Sequence, residues 1–102
     1  MATATATATT AYTPDDMRCL GRSVNSSAMR SWAIVMGEHG ADLLVLFTTG
    51  DTVYRYSFRA WEDACAWDAL REQSEEEDAY PVSWGQALHR FLKSGALLPI
   101  AA

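Results

Sequence analysis

Positive charge is scarce in this chain. Lys93 is the only lysine, and seven dispersed arginines face thirteen acidic residues, for a net charge of −5 and a pI near 4.8. Proteins that hold a phosphate backbone gather Lys and Arg into a basic footprint. A global basic field is therefore excluded, and nucleic-acid affinity is reduced to a local patch. Cysteine is equally sparse: Cys19 and Cys65 lie far apart, each without a second cysteine nearby, which fits neither a zinc spacing nor a CxxC redox pair. No stretch approaches the ~20 apolar residues of a membrane helix, and the first residues carry neither a basic nor an apolar signal region. The expectation is a cytoplasmic protein with no membrane association and reduced thiols, Cys65 being helical and buried.

Catalytic patterns are missing too. The two histidines, His39 in GEHG and His89 in a helical segment, belong to no HExxH, Ser-His-Asp order or nucleophile elbow. Glu38, His39 and Asp42 are close in sequence, but two acids and one His in a hairpin loop recur by chance. Gly37, Gly40 and Gly50 punctuate hairpins and build no phosphate cradle. No set of nucleophile, base and charge stabiliser can be assembled, so the chain is expected to be non-enzymatic, with no cofactor and no metal.

What is present is apolar and aromatic. Among 102 residues, 49% are hydrophobic and eleven are aromatic, enough for one globular domain and too many for a disordered chain. Residues 1–12, an Ala/Thr repeat, bury too little surface to offset their ordering entropy and are expected to form a flexible tail. Residues 13–102 then form a single domain.

Within it, Thr13 can cap a short helix, Pro14 suits its first position, Asp15 and Asp16 favour its positive end, and Gly21 stops it. Residues 29–57 read as three strands, MRSWAIVM, DLLVLFT and TVYRYS, joined by the short turns GEHG and TTGD, hence an antiparallel meander. After Ser57 the apolar period lengthens to that of a helix. FRAWEDACAWDALREQ places Phe58, Trp61, Cys65 and Ala69 along one side, with Ala64, Trp67 and Leu70 broadening the stripe. The acidic SEEEDAY is expected to be a solvated loop. A second helix, Ser83 to Lys93, carries Trp84, Ala87, Leu88, Phe91 and Leu92 on one face and ends at Gly95. The apolar tail ALLPI is expected to pack back. The fold class is thus α+β: a three-stranded meander followed by two helices on one sheet face, with a short N-terminal helix.

Residues 24–95 resemble a KTSC domain, a small module that also occurs at the C-terminus of some lysyl-tRNA synthetases and alone in bacterial and phage proteins. The resemblance rests on the paired serines of VNSSAMRSWAI, the hairpin LLVLFTTGDTVYRY and the Ser-x-Gly before a helix in SWGQALHRFL. It implies a three-stranded sheet with helices and no defined biochemical activity. In the family the second strand alternates between apolar and polar residues, whereas here Leu44 and Leu46 occupy the polar positions.

A two-residue turn at Thr49 and Gly50 would set Leu46 against Val53, Val45 against Tyr54, Leu44 against Arg55 and Leu43 against Tyr56. A bulge at Gly50 would slip that register by one. Either way, Leu43, Val45 and Phe47 share one face, and Leu44 and Leu46 lie on the other. Two covers for the second face are open: the Met17/Leu20 helix or the ALLPI segment, or else a partner protein or second copy of the chain.

The second possibility makes Leu44, Leu46, Val53 and Arg55 interface candidates. Trp32 and Trp67 join them, as partly exposed aromatic anchors. The resulting functional expectation is a protein-contact module, self-associating or heteromeric. The alternatives are nucleic-acid binding by Arg30, Tyr54, Arg55, Tyr56 and Arg59, with tyrosines stacking on bases, or an acidic mimic of a phosphate backbone.

Overall fold

Side chains alternate across an extended strand, so a hairpin's register decides which residues share a face. The computed structural model describes residues 7–9, 13–23, 29–37, 40–48, 50, 52–75 and 83–99. Its centre is the expected meander: β3 (Met29–Gly37), β4 (Gly40–Phe47) and β5 (Val53–Phe58). Leu46 pairs with Val53, Val45 with Tyr54, Leu44 with Arg55 and Leu43 with Tyr56, the register of the two-residue turn. Thr49 and Asp51 of that turn, and Glu38 and His39 of the other, lie outside the described residues. Gly40, which closes the β3–β4 hairpin against Gly37, has φ of +133°, a conformation that disfavours side chains.

Three short strands extend the meander to six, all pairing antiparallel. β2 (Arg22–Ser23) borders β3, while β1 (Thr7–Thr9) and β6 (Leu97–Pro99) border β5. Thr7–Thr9 thus depart from the flexible tail expected over residues 1–12. Their strand is held by backbone pairing to Val53–Arg55, which a count of side-chain burial overlooks. A register shift between Met29 and Ser31 leaves Arg30 as an extra residue and turns Met29 back into the core.

α1 (Pro14–Leu20) begins as its sequence suggests. Thr13 accepts from the Asp16 backbone N–H at 3.2 Å, and the Asp16 carboxylate accepts from the Thr13 N–H at 2.8 Å, a complete capping box. The helix ends at Gly21, whose backbone turns extended, and the position takes glycine for a steric reason: a Cβ there would collide with the Met17 carbonyl and crowd that of Trp32.

α2 (Trp61–Glu75) starts three residues later than the helix-like stripe suggests, because Phe58 is still a strand residue paired with Leu97. It also runs two residues into SEEEDAY; the rest of that acidic segment lies outside the described residues. α3 (Trp84–Ser94) follows Ser83 and ends at Gly95, whose φ of +85° is the left-handed helix-ending conformation.

The two faces of the sheet have separate cores. α2 and α3 cover one, where Trp67, Trp84, Ala87 and Leu88 pack with Trp32, Leu43, Val45, Tyr56 and Phe58. Trp67 is central: its ring lies 6.0 Å from Trp32 and 5.4 Å from Trp84. On the other face, Met17 of α1 packs with Ala33, Leu44, Leu46 and Val53.

Candidate interaction site

The second face resolves the two covers posed by the sequence in favour of the helix. Leu44 has no exposed surface, and Leu46 and Val53 are almost as deeply buried, in one cluster with Met17. A partner reaching these three residues would first have to displace α1. The ALLPI segment is elsewhere: Leu97 enters the opposite core, Leu98 is half exposed at the edge of β6, and Ile100 lies outside the described residues.

Beyond α1 the same face becomes polar. Arg55 donates from Nε to Asp42 Oδ2 at 2.8 Å, and its Nη2 lies 2.5 Å from the same oxygen. Asp42 is buried, and Gly37 leaves room for the pair, since a Cβ there would collide with the carboxylate. Arg55 is therefore committed within the sheet, as is Asp42, the one described member of the Glu38/His39/Asp42 group.

Trp32 and Trp67 also differ from expectation. Instead of presenting partly exposed anchors they are buried, at 2% and 0% exposure, and their indole N–H groups have no hydrogen-bond partner among the described residues. Packing three tryptophans together, edge-on and tilted, fills the space between sheet and helices at the cost of two unpaired donors.

The nucleic-acid set does not converge. Tyr54 and Tyr56 lie on the α2/α3 side, where Tyr54 packs on Phe47 at 5.6 Å and Tyr56 is buried. Arg55 points to the other face. Arg59 is bound to Asp63 at 3.2 Å, and Arg30 lies at the bulge with its Nη2 3.5 Å from the Thr48 carbonyl. Burial raises the Tyr56 phenol above its ordinary value, and negative charge at Tyr54 adds to the shift.

Among the described residues, a further surface lies between α2 and β3. Helix residues advance by about 100° each, so with Trp67 inward, Trp61, Asp68 and Glu72 come round one flank. There they line a cleft of about 460 Å³ together with Ile34, Ala64, Cys65 and Ala69. Trp61 is 61% exposed, and Met36, further along β3, is 69% exposed. Cys65 is exposed rather than buried. The broad stripe seen in the sequence is thus two stripes: Ala64 and Trp67 serve the core, and Trp61, Cys65 and Ala69 serve the cleft. That breadth, more than one buried face requires, was the available signal.

The cleft adjoins an open strand edge. β2 covers only Ser31 and Trp32 of β3, and Ala33–Gly37 have no further strand partner among the described residues. The opposite edge is closed, with β1 pairing Val53–Arg55 and β6 pairing Tyr56–Phe58. Among the described residues no group of three His, Cys, Asp or Glu is placed to hold a metal, and no helix is long and apolar enough to cross a membrane. No family model, curated protein or solved structure matches the chain.

Proposed function

We propose that the chain is a small non-enzymatic interaction module that works by protein contact at the β3 edge and the adjoining α2 cleft. The observation that carries this reading is the asymmetry of the sheet. One outer edge is capped along its length, whereas the other, beside exposed Trp61 and Met36, has no strand partner over residues 33–37 among the described residues. Natural sheets blunt exposed edges with Lys, Pro, inward charges or a covering element. Residues 33–37, Ala-Ile-Val-Met-Gly, have no such device in their own sequence. Exposed aromatic and Met side chains are also favoured at the centres of contact surfaces. Membership of the KTSC family is part of this proposal and rests on the hairpin and helix motifs quoted above; the paired serines 26 and 27 lie outside the described residues.

Selection of a random displayed peptide library on the immobilised chain tests the location. Selected peptides should lose binding to a Trp61→Ser/Met36→Ser variant and keep it towards Leu98→Ser, which alters an exposed apolar residue at the other edge. Equal binding to the first variant and the wild type would place the contact elsewhere.

A further inference from the structure

We infer that the partner is an extended, basic and apolar segment that adds to β3 as a strand; this rests on the contact surface proposed above and specifies what occupies it. The backbone supplies the first argument. The β3–β4 register leaves two residues between Gly37 and Gly40, and the pair that closes such a hairpin exchanges its hydrogen bonds across the ladder. Gly37, Val35 and Ala33 therefore turn their N–H and C=O groups towards β4. Those of Ile34 and Met36 turn outward, at the open edge. An extended segment beside β3 meets these four groups in ladder geometry, the basis of strand addition.

The side chains supply the second argument. Ile34 packs on the α2/α3 side of the sheet and lines the cleft. Met36, two residues on, shares that side. Every second residue of an added strand would face the same way, towards Ile34 and Trp61, and that position takes an apolar side chain.

Charge selects among possible occupants. α2 carries Glu62, Asp63, Asp68, Glu72 and Glu75 against Arg71 alone. Asp63 is held by Arg59 and Asp68 by Arg71, whereas Glu72, exposed at the cleft, has no cation partner among the described residues. A Lys or Arg beside the apolar residue of the incoming strand completes that rim. A second copy of the chain is disfavoured by the same charges, because edge-to-edge pairing about a two-fold axis would bring two acidic α2 helices to the same side of one sheet.

The test takes peptides selected as above and compares each with two derivatives: one with its basic residues changed to Glu, and one N-methylated at alternate backbone nitrogens. Binding is followed by Trp fluorescence and by amide chemical shifts of the full chain. The inference expects selected sequences rich in Lys or Arg with alternating apolar residues, and shifts at Ile34, Met36 and Trp61. It expects binding to weaken about tenfold on charge reversal and on Glu72→Lys, with the charge effect shrinking as salt is raised. N-methylation in the register that faces β3 should weaken binding at least as much. Peptides that bind at Trp61 without charge preference, or that tolerate N-methylation in both registers, overturn the inference and leave the contact surface standing. Concentration-dependent dimerisation that shifts Ile34 and Met36, with no peptide selected, does the same. A chain that stays monomeric and selects nothing overturns both.

Discussion

Met17 is the one described side chain of α1 in the second core, and its removal should be felt by Leu44, which belongs to the same cluster. Both are essentially inaccessible to water, at 2% and 0% exposure. Truncating a buried Met or Leu to Ala costs about 2–5 kcal/mol, part from lost transfer energy and part from the cavity left behind. If the two share one cavity, the second truncation enlarges a space already opened and costs less than it would alone. A double-mutant cycle of Met17→Ala and Leu44→Ala should then show a coupling of roughly 0.5–3 kcal/mol. Urea unfolding followed by Trp fluorescence reads all four corners, with an unchanged slope indicating an unchanged native core. In a domain of this size each kcal/mol moves the melting temperature by about 4–8 °C, so each single variant should melt at least about 8 °C lower. Costs that add to within about 0.3–0.5 kcal/mol would refute α1 as the lid over Leu44. So would a Met17→Ala variant as stable as the wild type.

The ion pair, the phenol and the tryptophans give three further expectations. Asp42→Asn strips the counter-charge from a three-quarters-buried Arg55 and should cost about 1–3 kcal/mol, much of it recovered in Asp42→Ala/Arg55→Met; an unmoved denaturant midpoint for the single variant would refute a structural role. With the Tyr56 phenol raised in the fold, its contribution is fully present below the ordinary value of 10.0. It is lost as pH rises from there through the folded value, because the unfolded chain releases its proton first. Stability measured through that alkaline range should fall less steeply in Tyr56→Phe, and equal slopes would contradict it. Trp61→Ser should leave stability within about 0.5 kcal/mol, whereas Trp67→Ala should cost about 3–5 kcal/mol. Thermal melts of the two side by side would expose any reversal of their roles.

The meander, the capped first helix and the helix ending at Gly95 were legible because each has a local cause: strand alternation, Thr13 with Asp16, and a glycine able to adopt positive φ. The cover over Leu44 was legible as a requirement, and α1 was one of the segments able to meet it. Less legible were features decided by distant partners. Phe58 fits a helical stripe, but pairing with Leu97 keeps it in a strand. Thr7–Thr9 have little to bury, yet β5 offers them backbone partners. Trp61 and Trp67 both suit a core in a one-dimensional pattern. Only the rotation of α2 over the sheet sends Trp67 inward and leaves Trp61 in the cleft, and that rotation depends on Trp32 and Trp84, which come from other elements. Trp61, Cys65 and Ala69 belong to the stripe that the sequence predicts, but they line its cleft-facing flank and not the side that meets the sheet.

β6 and β1 can also be read as one strand with a missing peptide bond. Pro99 sits opposite Tyr56 and Thr7 opposite Arg55, so β6 runs along β5 and hands over to β1 at the next position, in the same direction. The proline stands at the seam. A circularly permuted chain in which a short linker joins residue 99 to residue 7, opened instead in the β4–β5 turn, would keep every strand pairing described here. The loop that the chain must close would then join β6 to β1 in place of β4 to β5.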